Sequence, residues 1–465
     1  MNDCKKSNSI LESIGVYGYS EVETLILSSL VTYEPIILIG ETGTGKTFLL
    51  NNLARVLGLR HKHYNASLVS FEDLIGFPYP DKTGNNIKYL QTEASVWDAE
   101  SILVDEISRC QPSVQNKLFS LIYEKKLLGI ELKDLRYAWA AMNPPTTSDD
   151  DENNIYLGSE ALDIALADRF SLFIDSPSWE NLSSNDKKKI VSAESEFSEC
   201  DVNKDFINQI EKARKRFNRL IKNIPDEISE YSKNFTDIMN KNNILISPRR
   251  AYKISVNLTG IMALNGNLKE ADFINVVEHS IPNRCFGKKI DKDKIMIAHK
   301  TAMMITREKN KMWLYQFFTS SSIKEKIEIL IKNCKNEEEG NEAILEFIRI
   351  SKKEELIPFC FIVYPAAVIK LIPAGIQAVN EMGKIAMRMY DFKYKESYND
   401  FNDLAKLKEA NLSMINDKYR ENMAEKFLFA CLKEGIDIKD PQKMEEDIYQ
   451  SARMISNIIN KKEVI

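Results

Sequence analysis

The sequence predicts an α/β domain, a parallel sheet covered by helices on both faces, followed by two helical regions. Three observations predict it. Short apolar runs at Pro35–Ile39, Ser101–Val104, Tyr137–Met142 and Ser171–Ile174 alternate with segments of helical spacing. Such alternation implies parallel strands buried on both sides. A glycine-rich turn, Gly40–Thr47, leads from the first run into a helical pattern, and beyond Pro177 the pattern is helical only. The expected domains are residues 1–176, carrying the sheet and a hairpin insert at about 71–93, then 177–302, then an extension over 303–465.

Composition bounds the function. The 465 residues suffice for two or three domains with sizeable cores. Hydrophobic residues make up 44% and charged residues 28%, as in an ordinary soluble globular chain. The 63 basic and 68 acidic residues give a net charge of -5. That argues against a generally basic nucleic-acid binder and leaves room for a local basic surface. Seven scattered cysteines without a C-x-x-C pair fit a reduced, cytoplasmic chain. The start, Met1-Asn-Asp-Cys-Lys-Lys, lacks the apolar core of a secretion signal. Leu356–Val379 is apolar, but Lys370 and Pro358, Pro365 and Pro373 interrupt it, so a buried helix or helix pair is expected there rather than a membrane span.

Gly18 and Tyr19 precede Glu21–Leu30, an amphipathic helix leading into the first strand. Gly40-Glu41-Thr42-Gly43-Thr44-Gly45-Lys46-Thr47 is then a full match to G-x-x-x-x-G-K-[ST]. The glycines let the backbone curl so that successive amides point at phosphate oxygens. The next helix adds its positive end. Lys46 can reach the β- and γ-phosphates of ATP, and the Thr47 hydroxyl can hold Mg²⁺. Leu49, Leu50, Leu53, Val56 and Leu57 keep helical spacing until Gly58. In many ATPases a leader helix such as Glu21–Leu30 covers the adenine, which makes it a candidate base-binding segment.

His61–Asn65 is expected as a second strand. His61 and His63 share one face of it, but no third ligand lies nearby, and they are read as ordinary sheet or surface histidines. Phe71–Gly76, Phe77–Pro80, the polar turn Asp81–Asn86 and Ile87–Leu90 read as a helical turn and a surface hairpin. Ser101–Glu106 is an apolar strand ending in two carboxylates. Asp105 can hold Mg²⁺ opposite Thr47, and Glu106 can polarise an attacking water. Pro112–Glu124 is expected as a helix. Tyr137–Met142 ends at Asn143, whose amide can bond both a water and a phosphate oxygen. Thr146–Asn154 reads as a polar, acidic loop, and Gly158–Phe170 as a helix ending at Asp168-Arg169. Further on, Phe206, Ile210, Ala213 and Phe217 make an apolar stripe. The basic face opposite, with Arg214, Lys215, Arg216 and Arg219, is read as solvated. Ser247-Pro248-Arg249-Arg250 starts another helix. A break is expected at Asn336–Gly340.

Together these residues resemble the AAA+ ATPases, and within them the MoxR branch of the helix-2-insert clade, over about residues 15–302. The phosphate loop is similar to Walker A. Ile102–Arg109 is similar to Walker B with the branch's trailing pattern, Ser108 replacing the usual Asn. Asp73–Gly76 and the hairpin resemble the clade's insert, although Gln91-Thr92-Glu93 stands where the branch often has Gly-Pro-Leu. Glu41-Thr42 occupies positions that are Pro-Pro in the branch and act through their backbone. The resemblance puts Asn143 at sensor 1, Asp168-Arg169-Phe170 at the arginine finger, Ser247-Pro248-Arg249 at sensor 2 and Asn65 at the glutamate switch. It makes residues 177–302 a helical lid. It implies Mg²⁺-dependent ATP hydrolysis in a homo-oligomeric ring, most often a hexamer. Arg169 would enter the neighbouring subunit's site, and Arg249 would contact the γ-phosphate from the lid. It also implies a protein client, commonly one with a von Willebrand factor A domain, with Phe77 and Tyr79 of the insert facing the pore. The alternatives are a nucleic-acid motor of a restriction or defence system and a nucleotide-dependent scaffold with little turnover. Residues 303–465 lie outside the resemblance.

Overall fold

The computed structural model describes residues 9–80, 87–110, 112–145, 159–192, 202–242, 244–288, 291–307, 312–320, 322–390, 446, 448–455 and 457. Nine strands lie among them. They are β1 (Ile36–Ile39), β2 (His61–Asn65), β3 (Phe77–Pro80), β4 (Ile87–Leu90), β5 (Ser101–Asp105), β6 (Lys126–Leu127), β7 (Ile130–Glu131), β8 (Tyr137–Met142) and β9 (Leu172–Asp175). Five form the central sheet in the order β2-β5-β8-β1-β9, every pairing parallel. β1 and β8 are buried throughout, as strands covered on both faces must be. The register pairs Ile39 with Met142 and Asn65 with Asp105, so the ends of β1, β2, β5 and β8 meet at one edge of the sheet. The expected insert hairpin is the antiparallel pair β3–β4, with Phe77 opposite Leu90.

The helices follow their apolar spacing. In Lys46–Val56 the buried positions include Leu49, Leu50, Leu53 and Val56, each under 2% exposed. The leader helix runs Glu23–Thr32. The segment expected as one helix over Pro112–Glu124 is an α-helix to Phe119 and then a π turn, Ser120–Glu124, closed by Lys125 at φ 54°. The helix expected over Gly158–Phe170 needs correction, since only Ile164–Ala167 is helical. Tertiary partners claim the upstream amides. Glu160 N–H donates to the Ser108 carbonyl and Leu162 N–H to the Cys285 carbonyl. Asp163 then caps the short helix through the Ala165 and Leu166 amides. Gly158 itself, Thr146–Asn154 and Asp81–Asn86 lie outside the described residues.

The chain divides into two compact units, one of residues 1–232 with 246–292 and one of 233–245 with 293–465. The first holds the sheet and the helices Val202–Leu220, Pro248–Asn265 and Glu270–His279. The second is helical among its described residues. Its core packs Phe317, Phe347 and Phe359 in tilted and edge-to-face contacts, with ring centroids 4.4–5.9 Å apart. Leu356–Val379 is a helix pair, Lys353–Val368 ending before Ile376–Tyr390 begins. Among the described residues no helix is long and apolar enough to cross a membrane.

β2 is pinned through His61. Its Nδ1 lies 2.8 Å from Ser101 Oγ and its Nε2 3.0 Å from Asn51 Oδ1. Burial, helped by the charge of His63, pushes its pKa down to about 4. Below about pH 6.5 the unfolded chain binds a proton that the folded chain refuses until about pH 4. The stability contributed by neutral His61 is therefore complete above that window and lost across it. Thermal melts at about pH 7 and pH 4.5 should show a larger fall in Tm for the wild type than for His61→Gln. Equal falls would remove His61 as the source.

Candidate nucleotide-binding site

The Gly40–Thr47 loop follows β1 at the shared sheet edge. Gly43 and Gly45 both sit at φ +81°, with nothing within 4 Å of where a Cβ would stand. This is an open concave backbone that only glycine adopts without strain. Gly40 differs, because a Cβ there would lie 2.8 Å from Ser176 Cβ. Thr44 Oγ1 donates to the Glu41 carbonyl at 2.8 Å and closes the loop. Glu41, Thr42 and Gly43 are exposed, so their backbone is open to a ligand.

Lys46 is only 7% exposed. Its ammonium donates to the Gly40 carbonyl at 2.8 Å, the Glu41 carbonyl at 2.7 Å and Asn143 Oδ1 at 3.2 Å. Burial lowers its pKa, and Asp105, Glu106 and Glu41 oppose that shift. The Asn143 amide nitrogen is 3.4 Å from Thr42 Oγ1, so one side chain spans loop and lysine. Thr47 Oγ1 donates to Asp105 Oδ2 at 2.7 Å, and the Glu106 amide donates to Asp105 Oδ1 at 2.9 Å. Burial pushes the Asp105 carboxyl up, but the hydrogen bonds from His63, Thr47 and the Glu106 amide outweigh it and hold it below its usual value. A hydroxyl and an ionised carboxylate at this spacing are hard oxygen donors that fit Mg²⁺. Among the described residues no group of three or more His, Cys, Asp or Glu could hold a metal alone.

Glu106 adopts φ 53°, a left-handed conformation that is strained for a residue with a Cβ. The strain is held by Arg109 N–H donating to the Glu106 carbonyl at 2.8 Å, and Arg109 Nη1 lies 3.8 Å from its carboxylate. Asn65 does not reach this carboxylate. Its Oδ1 accepts from the Ser67 amide and hydroxyl at 3.0 and 2.7 Å and closes the turn after β2. Tyr19 in the leader is buried, its hydroxyl donating to Ser176 Oγ at 2.9 Å.

The two predicted arginines share one wall. Arg169 Nε donates to the Phe119 carbonyl at 3.1 Å, and its guanidinium lies 4.6 Å from the Phe119 ring centre. Arg249 Nη1 donates to Asp168 Oδ2 at 3.1 Å, and its guanidinium lies 5.1 Å from the Tyr123 ring centre. The described contacts of Arg249 are thus with Asp168 and Tyr123, while Lys46 meets Asn143 and Thr47 meets Asp105 separately. Asp168 also accepts from Ser247 Oγ at 2.8 Å and faces buried Arg250 at 3.5 Å. Arg250 Nη2 donates to the Ala167 carbonyl, and Lys253 Nζ donates to the Arg169 carbonyl. Arg214, expected on a solvated face, instead donates to the Leu30 carbonyl and the Tyr137 hydroxyl, both at 2.7 Å, and stacks on Tyr33.

Sequence reasoning missed Ser159 and the contacts that His63 and Asp168 make. Ser159 Oγ donates to the Asn143 carbonyl at 3.0 Å and lies 3.0 Å from Ser108 Oγ, tying the β5 turn to the β8 tip. It sits 51 residues from Ser108, so no local signal marks it. His63 faces Asp105, and Asp168 is the hub of the arginine wall.

Residues 35–170 match the family model of the AAA domain, dynein-related subfamily. The structural protein ORF618 of Acidianus two-tailed virus is 29% identical over 163 residues, which is 34% of this chain and 25% of the viral protein. The chain therefore spans a quarter of that relative's length. The crystal structure of a candidate ATPase from Cytophaga hutchinsonii aligns with a TM-score of 0.45 at 20% identity, covering 59% of this chain and 85% of that one. The matched residues 35–170 cover the five-stranded parallel sheet up to its last strand, and helical regions follow among the described residues.

Removing Asp168 strips a carboxylate from a guanidinium that is 2% exposed at the residue level. Asp168→Ala should destabilise the first unit by about 3 kcal/mol, read from denaturant unfolding. A loss below roughly 0.5 kcal/mol would show that the Ala167 and Ser280 carbonyls suffice for Arg250.

Proposed function

We propose that the chain is an Mg²⁺-dependent ATPase that works as a homo-oligomeric ring, a hexamer on the family pattern, and remodels or matures a protein partner. The observation that carries this reading is the convergence of Lys46, Asn143, Thr47 and Asp105 beside an open glycine cradle. On binding, loop amides take the phosphate oxygens and Lys46 exchanges loop carbonyls for the β- and γ-phosphates. Thr47 and Asp105 would hold Mg²⁺, which supplies charge neutralisation between the phosphates. Glu106, at the strained turn, orients a water and takes its proton as the water attacks the γ-phosphorus and the bond to the bridging oxygen breaks, ADP leaving. Asn143 fixes that water against a phosphate oxygen without adding charge.

Arg169 and Arg249 complete the charge balance. Their shared wall supports one subunit offering both guanidiniums to its neighbour's triphosphate, which requires a head-to-tail interface and hence a ring. The client surface we assign is the insert hairpin, where Phe77 and Tyr79 are 55% and 44% exposed and, two residues apart on β3, share a face. The partner class that the resemblance supports is a protein with a von Willebrand factor A domain. The nucleic-acid alternative rests on the basic helix around Arg214, of which Arg214 is engaged internally while Lys215, Arg216 and Arg219 are exposed.

Glu106→Gln should retain ATP without hydrolysing it, and Lys46→Ala should fail to bind it, read by equilibrium binding and phosphate release. Arg169→Ala should lower kcat by roughly 10³, and mixing it with Lys46→Ala subunits should restore part of the rate. Wild-type turnover in Glu106→Gln would sink the catalytic assignment. A protein that stays monomeric with saturating ATP and Mg²⁺ would sink the shared site.

A further inference from the structure

We propose that His63 is a protein ligand of the divalent cation at the nucleotide site, and that its imidazole gives the site a preference for Mn²⁺ over Mg²⁺. The inference rests on the ATP-site reading above and adds a nitrogen donor to Thr47 and Asp105.

The topology places His63 there. β2 pairs with β5 in parallel, with Asn65 opposite Asp105. Side chains two apart on a strand share a face, so His63 projects on the side of Asn65 and leans diagonally toward Asp105. His61 shares that face and touches Asn51, four residues after Thr47 on the phosphate-loop helix. Residues four apart on a helix also share a face. The strand face therefore runs along the helix in two rungs, His61 with Asn51 and His63 with the Thr47–Asp105 pair. Both nitrogens of His61 are taken by Ser101 and Asn51, which leaves it no lone pair for a metal. The His63 ring, 38% exposed, has Asp105 as its described polar contact.

The spacing suits a cation. His63 Nε2 lies 3.4 Å from Asp105 Oδ2, and Thr47 Oγ1 lies 2.7 Å from the same oxygen. Adjacent ligands of an octahedral ion with bonds of 2.0–2.1 Å are about 3 Å apart, between these two values. Two oxygens alone describe a site for a hard ion. A neutral imidazole shifts such a site toward first-row transition ions, because nitrogen donors bind them better than they bind Mg²⁺. Mn²⁺ keeps the octahedral, phosphate-bridging role and accepts the nitrogen.

The experiment is pulsed electron paramagnetic resonance on the full chain with ADP and Mn²⁺. Wild type should show ³¹P couplings from the nucleotide and a ¹⁴N coupling from a bound imidazole. Labelling with ¹⁵N-histidine should convert the nitrogen signal without any mutation. His63→Ala should lose it, and His61→Gln should keep it. Competition binding in the presence of ADP should show the Mn²⁺-over-Mg²⁺ preference falling roughly tenfold in His63→Ala. Phosphorus couplings without nitrogen in the wild type would overturn the ligand role, reduce His63 to a hydrogen-bond partner of Asp105, and leave the ATP site standing. Absence of both couplings would overturn the ATP-site reading and this inference with it.

Discussion

The fold is arranged around one buried ammonium. Lys46 carries its charge to a place where 7% of the residue meets solvent, and three oxygens from two strand ends receive it. A buried cation without partners is strongly unfavourable, so Gly40, Glu41 and Asn143 must hold their places for the sheet edge to exist as it does. The acceptors come from the loop after β1 and the tip of β8, which are neighbouring strands. The lysine thus clamps the loop to the sheet, and the same contact keeps the side chain aimed where phosphates would lie. Preorganisation of this kind leaves little ordering entropy to be lost on binding.

A second set of constraints holds the carboxylates. Asp105 is half-buried, yet its pKa is held down while it accepts from Thr47 and from the Glu106 amide, with His63 Nε2 3.4 Å away. Glu106 then leaves the strand at positive φ, which throws its side chain away from the strand direction that Asp105 follows. The turn is stapled by Arg109 N–H on one side and by the Ser108–Ser159–Asn143 chain on the other. Two adjacent carboxylates thereby face different partners, which on the proposed reading would let one bind a cation and the other handle a proton.

What could be read from the chain was what is local. Ile36–Ile39, the glycine turn and the leucines of Lys46–Val56 are contiguous, so pattern and spacing specify them. The hairpin β3–β4 was legible because its arms flank a polar turn. The Gly158–Phe170 helix failed for the converse reason, since Glu160 and Leu162 give their amides to Ser108 and Cys285, which lie far away in sequence. The histidines show the same limit. On β2 alone His61 and His63 look equivalent, and only the register against β5 and the proximity of the phosphate-loop helix separate a pinned ring from one facing a carboxylate. Arg214 looked solvated because helical periodicity sees its own helix and not the Leu30 carbonyl or the rings of Tyr33 and Tyr137.

On the proposed reading, the arginine wall would make these static contacts a route for information between subunits. Asp168 receives Ser247, Arg249 and Arg250 from one helix start, while Arg250 and Lys253 of that helix hold the carbonyls of Ala167 and Arg169. The backbone that carries Arg169 is therefore fixed to the helix Pro248–Asn265 from both sides of the residue. Buried Lys253 has its pKa lowered to about 8 by burial, with Glu34 opposing the shift, and such desolvated charges tolerate little displacement. Rotation of that helix cannot leave the Arg169 turn behind without stranding Arg250, Lys253 or Asp168. On the proposed reading, Arg169 and Arg249 enter a neighbour's site as one body. Movement of the helix in one subunit then changes the charge offered to the next subunit's phosphates, and the coupling follows from a handful of hydrogen bonds rather than from a diffuse change in shape.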